Sequence, residues 1–67
     1  MELAVRDRQL WSERDWRCER WSVGGRPQVR LYFGMHLMSE LEAGPKLDLS
    51  RQSEAWLTAV RADKHRT

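Results

Sequence analysis

The chain has 67 residues, with 12 Lys and Arg against 10 Asp and Glu and a formal net charge of +2. That length supports a single domain over residues 1–67, one that buries only about 60% of the surface its unfolded chain exposes. The acids are interspersed among the bases, which excludes the basic tail or stripe of a protein that binds nucleic acid by charge alone.

A domain this small commonly relies on a disulfide, a metal or a partner chain. Cys18 is the single cysteine, so no intrachain disulfide can form and a reducing compartment is expected. His36 and His65 stand 29 positions apart, with no C-x-x-C or H-x-x-x-H pattern near them, so neither a zinc site nor any other cofactor is expected. Oligomerisation is the support that remains. The four tryptophans favour it, because a small core cannot hide them all and Trp is enriched at interfaces. The start Met1-Glu2-Leu3 lacks the basic residues and apolar run of a signal peptide. The longest nearly apolar run, Leu31 to Met38, is broken by His36 and falls well short of the roughly 20 residues of a membrane span. The expectation is a cytoplasmic protein with no membrane role.

Residues 1–15 read as an N-terminal arm or short helix. Leu3, Leu10 and Trp11 share a helical face with Asp7 and Arg14, and a strand reading gives no cleaner face; the Glu, Leu, Ala, Arg and Gln content favours helix. Residues 16–42 read as a β-meander. In Trp16–Val23 strict alternation sets Trp16, Cys18 and Arg20 on one face and Arg17, Glu19, Trp21 and Val23 on the other; a bulge near Glu19 or Arg20 would gather the apolar residues on one side. Gly24-Gly25-Arg26-Pro27 reads as a loop. Beyond it Val29, Leu31 and Phe33 alternate with Arg30 and Tyr32, and His36–Glu42 returns as a hairpin around Gly34. A two-residue turn would pair Phe33 with His36. A three-residue loop would pair Phe33 with Leu37 and bury Leu37 and Leu41, and this register is preferred. Gly44-Pro45 breaks the chain before a helix over 50–63, with Ser50 as N-cap, Glu54 in the first turn, an apolar stripe of Trp56, Leu57, Ala59 and Val60, and cations Lys64, His65 and Arg66 at the end. The sum is an α+β fold, a three-stranded antiparallel meander with a C-terminal helix on one face.

No constellation points to catalysis. Cys18 and His36 offer a thiol–imidazole pair, but a free Cys in such a strand behaves as a small hydrophobe. The acidic residues show no spacing that singles out a pair for acid–base work. Gly24-Gly25-Arg26-Pro27 matches no phosphate-binding fingerprint and joins two strands rather than a strand and a helix. The candidate contact residues are instead Arg17, Arg20, Arg26, Arg30 and Tyr32, expected on the sheet face away from the helix, together with Trp11, expected to be partly exposed beside Arg8 and Arg14. Ten of the twelve basic residues are Arg, which favours planar, stacked and bidentate contacts. The sequence therefore suggests a non-catalytic protein-interaction module, self-associating or acting on a partner protein. A nucleic-acid-binding module using the Arg and aromatic face is the alternative.

Overall fold

The structure, a computed structural model, describes residues 2–63. Five elements follow in order: β1 (Ala4–Glu13), β2 (Trp16–Val23), β3 (Arg26–Phe33), β4 (His36–Glu42) and α1 (Leu49–Asp63). The strands form one antiparallel sheet in the order β1-β2-β3-β4, and α1 packs against β1 and β3. The α+β class is as the sequence suggested, but the sheet has four strands rather than three. The extra strand is the segment read as an arm or helix.

The reason lies in the register of β1. Its pairing with β2 slips twice, so that Asp7 and Leu10 have no partner. Each bulge inserts one residue and reverses the alternation that follows. Val5, Arg8 and Trp11 therefore all face the helix side, opposite Ser22, Arg20 and Cys18. Their spacing of three mimics a helical period, and it hides the strand from a period-2 reading.

β2 pairs with β3 without interruption from Trp16↔Phe33 to Val23↔Arg26. The bulge expected near Glu19 or Arg20 is absent, because the irregularities lie in β1. Strict alternation holds, and Trp21 stays on the face opposite Trp16 and Cys18. The turn between these strands is Gly24-Gly25, with φ of 60° and 80°. Two consecutive positive φ values are what a two-residue type I′ hairpin needs, and glycine adopts them without a Cβ clash. β3 therefore begins at Arg26, earlier than the sequence suggested, and includes Pro27. Next to a two-residue turn the Ser22–Pro27 pair is non-hydrogen-bonded, so β2 needs no donor from Pro27; its carbonyl accepts from Ala43 N at 3.1 Å.

The β3–β4 hairpin combines both expected registers. Phe33 pairs with His36 across a two-residue Gly34-Met35 turn, which contradicts the preferred three-residue loop. Met38 is then bulged out, and beyond it Ser39 faces Leu31 and Leu41 faces Val29. Leu41 and Ser39 thus reach the helix-side face as expected, whereas Leu37 lies opposite Tyr32 on the other face.

Helix α1 starts one residue earlier than expected, and its cap is Asp48 rather than Ser50. Asp48 Oδ1 accepts from Ser50 N at 2.9 Å and Arg51 N at 3.4 Å, while its carbonyl accepts the first helical bond from Gln52 N at 3.0 Å. Glu54 consequently falls beyond the first turn, which holds no acidic residue. Asp48→Ala is expected to lower stability by about 1 kcal/mol, read as a shift in the urea midpoint at constant slope. The basic residues Lys64, His65 and Arg66 lie outside the described residues.

Among the described residues the buried hydrophobic side chains are Cys18, Val29 and Leu31. The helix meets them through a small residue, Ser53, itself buried. The Trp11 indole donates from Nε1 to the Ser53 carbonyl at 2.9 Å, tying the outer strand to the helix. Trp16 and Leu31 face Trp56 and Val60, as the apolar stripe suggested. Trp16 also meets Phe33 edge to face, with ring centroids 4.8 Å apart.

Candidate interaction surfaces

The sheet has two unlike faces. The face away from α1 carries Arg6 from β1, Arg17, Glu19 and Trp21 from β2, Arg26, Arg30 and Tyr32 from β3, and Leu37, Glu40 and Glu42 from β4, as the pairings require. At its centre sits Glu19, only 2% exposed although no helix covers it. Its neighbours do the covering. Trp21 Nε1 donates to Oε1 at 2.9 Å, Arg17 Nε donates to Oε2 at 2.9 Å, and Arg6 approaches Oε2 at 3.5 Å.

The arginines and aromatic rings of this face interleave. The Arg30 guanidinium lies 4.2 Å from the Trp21 ring centroid, and that of Arg17 lies 4.5 Å from the Tyr32 ring centroid. Arg30 also bonds the Gln28 side chain at 3.0 Å and the Tyr32 hydroxyl at 3.3 Å, and pairs with Glu40 at 3.4 Å. Arg17 reaches the Gly34 carbonyl. Arg26, at the rim, is held between Glu2 and Glu42, the latter at 2.7 Å. Four arginines (Arg6, Arg17, Arg26, Arg30) thus meet four carboxylates (Glu2, Glu19, Glu40, Glu42), and the face is internally neutralised.

Of the residues singled out in the sequence, Arg17, Arg26, Arg30 and Tyr32 come together here. Arg20 does not. Alternation carries it to the helix side, where it pairs with Asp7 at 3.3 Å. Trp11 lies on the helix-side face, apart from the arginine cluster, and is partly exposed as expected; its indole is held to the Ser53 carbonyl of α1. Glu19 was missed as the hub. Its spacing of two from Arg17 and Trp21 was visible, but nothing in the sequence shows that these side chains close over it.

Burial pushes the Glu19 carboxyl up, but the bonds from Trp21 and Arg17 and the charges of Arg17 and Arg6 together outweigh it and hold it below the usual carboxylate range. A carboxyl depressed by folding adds stability that is complete above its unfolded pKa, about 4.3. That stability is lost as pH falls through the folded value. Thermal melts are therefore expected to be flat in this respect near neutrality and to drop below about pH 4, and Glu19→Gln is expected to flatten that acid limb.

No protein-family model matches the chain, and no curated protein or solved structure shows a significant likeness to it.

The helix-side face offers a different surface. Between the C-terminal half of α1 and the sheet lies an apolar groove of about 380 Å³, lined by Trp16, Leu31, Trp56, Ala59, Val60 and Asp63. Phe33, 41% exposed, extends it beside Trp16, and Leu41 is also exposed on this face. Met35 and Met38 add exposed apolar surface at the β3–β4 hairpin. Glu13 and Arg61, 3.4 Å apart, bridge β1 to the last turn of the helix.

Chemistry at Cys18 is disfavoured by its setting. Burial pushes the thiol up, the Ser53 hydrogen bond opposes this, and the Glu19 charge adds to the rise. A buried thiol with a raised pKa is a poor nucleophile at neutral pH. His36 sits opposite Phe33 next to the last hairpin turn, whereas Cys18 is paired with Leu31 and Trp11 in the middle of the sheet. Among the described residues no cluster of three or more His, Cys, Asp or Glu has metal-binding geometry, and no helix is long and apolar enough to cross a membrane.

Proposed function

We propose that this chain is a non-catalytic protein-binding module that works through its helix-side face. One observation carries the reading: the apolar interior opens to solvent along the Trp16–Trp56–Val60 groove and continues onto Phe33. Aromatic residues half-buried in a groove are the kind of anchor on which protein interfaces concentrate their binding energy. The nucleic-acid alternative loses support on the other face. Its arginines are already paired with carboxylates or stacked on rings, so binding phosphate there would first break those pairs.

The test sets two titrations side by side. Mixed-sequence single-stranded DNA and RNA are titrated at low salt and followed by anisotropy, with no binding expected. A purified partner identified by affinity capture is then titrated against the wild type, Phe33→Asp and Arg30→Gln. Binding lost in Phe33→Asp and kept in Arg30→Gln supports the proposal. Oligonucleotide binding that falls steeply with salt and weakens in Arg30→Gln would replace it with the alternative.

A further inference from the structure

We infer that the tip of the β3–β4 hairpin is a binding site for a soft monovalent metal ion of the Cu(I) class, held by the thioethers of Met35 and Met38 and the imidazole of His36. The inference is independent of the protein-binding reading. Three observations carry it.

The first is where the methionines stand. The chain has three, and two of them, Met35 and Met38, flank His36 at this one tip. Methionine ordinarily fills gaps in an apolar core. Here Met35 is 95% exposed, Met38 is 54% exposed, and His36 is exposed as well. Among the described residues no hydrogen bond or ion pair engages any of the three side chains, so all three can turn toward an ion.

The second is the backbone that carries them. Phe33 pairs with His36, which sets His36 on the helix-side face. Residues two apart in a strand point the same way, so Met38 shares that face. The bulge then leaves Met38 without a partner in β3. Met35 ends the turn immediately before His36. That turn is pinned on both sides of its peptide unit: Gly34 N donates to the Asp15 carbonyl at 2.8 Å, and Arg17 donates to the Gly34 carbonyl. The donors thus stand close in sequence on a fixed backbone, which reduces what must be ordered on binding.

The third is the donor set. Two thioethers and a neutral imidazole bring no charge. They suit a soft, singly charged ion and poorly suit Zn(II), Mg(II) or Ca(II), whose sites are completed by thiolates, further imidazoles or oxygen ligands. Among the described residues no cluster of His, Cys, Asp and Glu offers those harder ions a seat. The rival soft donor, the Cys18 thiol, is closed to solvent in the sheet.

The full chain, with isotope-labelled methionine methyl groups, is titrated with Ag(I) and followed by NMR. Ag(I) is a redox-stable ion of the same class, and the buffer holds no thiol or chloride. The Met35 and Met38 methyl signals are expected to move together and to saturate with a single ion bound, while Zn(II) moves neither. Met35→Leu, Met38→Leu and His36→Ala are each expected to weaken binding by about tenfold or more, since losing a donor costs more than losing a group that only orients one. All three positions are exposed, so far-UV circular dichroism is expected to stay unchanged. Cys18→Ala and His65→Ala are expected to bind as the wild type does. Methyl signals that stay in place overturn the site. So does an equal, unsaturated movement of Met1, and so does binding that survives Met38→Leu but disappears in Cys18→Ala. Should Cys18→Ala lose its secondary structure, the wild-type titration decides, because an ion held at the buried thiol would leave both tip signals where they were.

Discussion

Replacing Glu19 with alanine is expected to lower the melting temperature by about 10–20 °C, the equivalent of about 2–3 kcal/mol in a domain of this size. The carboxylate accepts from Trp21 and Arg17 and faces Arg6. Removing it leaves a cluster of cations on one sheet face with no central counter-charge, and an indole N–H without its acceptor. The loss stays below that of a fully buried ion pair because the Arg17 and Arg6 side chains are 35% and 60% exposed and can rehydrate. Glu19→Gln keeps an acceptor for Trp21 and should cost about half as much. The mechanism, as distinct from the magnitude, is checked by a double-mutant cycle with Arg17→Ala. Effects that add to within about 0.5 kcal/mol would mean that the two residues do not act as a unit.

The second large effect is expected at Leu31. Leu31→Ala removes one of the few buried apolar side chains and should cost about 2–3 kcal/mol, toward the low end for such a truncation because the adjoining groove already admits water. For a chain whose total stability is expected to be only about 3–10 kcal/mol, that is a large share. Leu37→Ala, with a half-exposed side chain on the other face, should change stability by no more than about 0.5 kcal/mol. Urea melts of the two variants give the comparison directly. A similar cost at both positions would mean that the sheet packs with its faces exchanged.

The parts legible in the sequence were those where one period ran unbroken. β2 and β3 alternate without a slip, so the sequence alone sets Arg17, Arg30 and Tyr32 on one face and Leu31 on the other. The stripe Trp56, Leu57 and Val60 placed α1, and Gly24-Gly25 placed a turn. What stayed hidden was hidden by inserted residues. Asp7 and Leu10 in β1, and Met38 in β4, each reverse the alternation that follows them. A strand with two such insertions reads as a helix, and a hairpin with one can be read in either register. Arg20 is a different case: strict alternation had already set it on the Trp16 side, and the bulge invoked to move it does not occur. The helix cap went to Ser50 because serine is as good a cap as aspartate by type, and only geometry decides between Asp48 and Ser50. The burial of Glu19 could not be read at all, since it depends on how Arg17, Arg6 and Trp21 bend over it.

The order of the strands also bears on how the molecule assembles. Each hairpin joins neighbours in the chain, so most of the sheet can zip together from turn to turn with little loop-closure cost. Among the exceptions is the bond from Trp11 to Ser53, which spans 42 positions. The outer strand and the helix must both exist before that latch can close, so docking of α1 is expected as the late step, and the N-terminal strand should be the first to fray when the latch is cut.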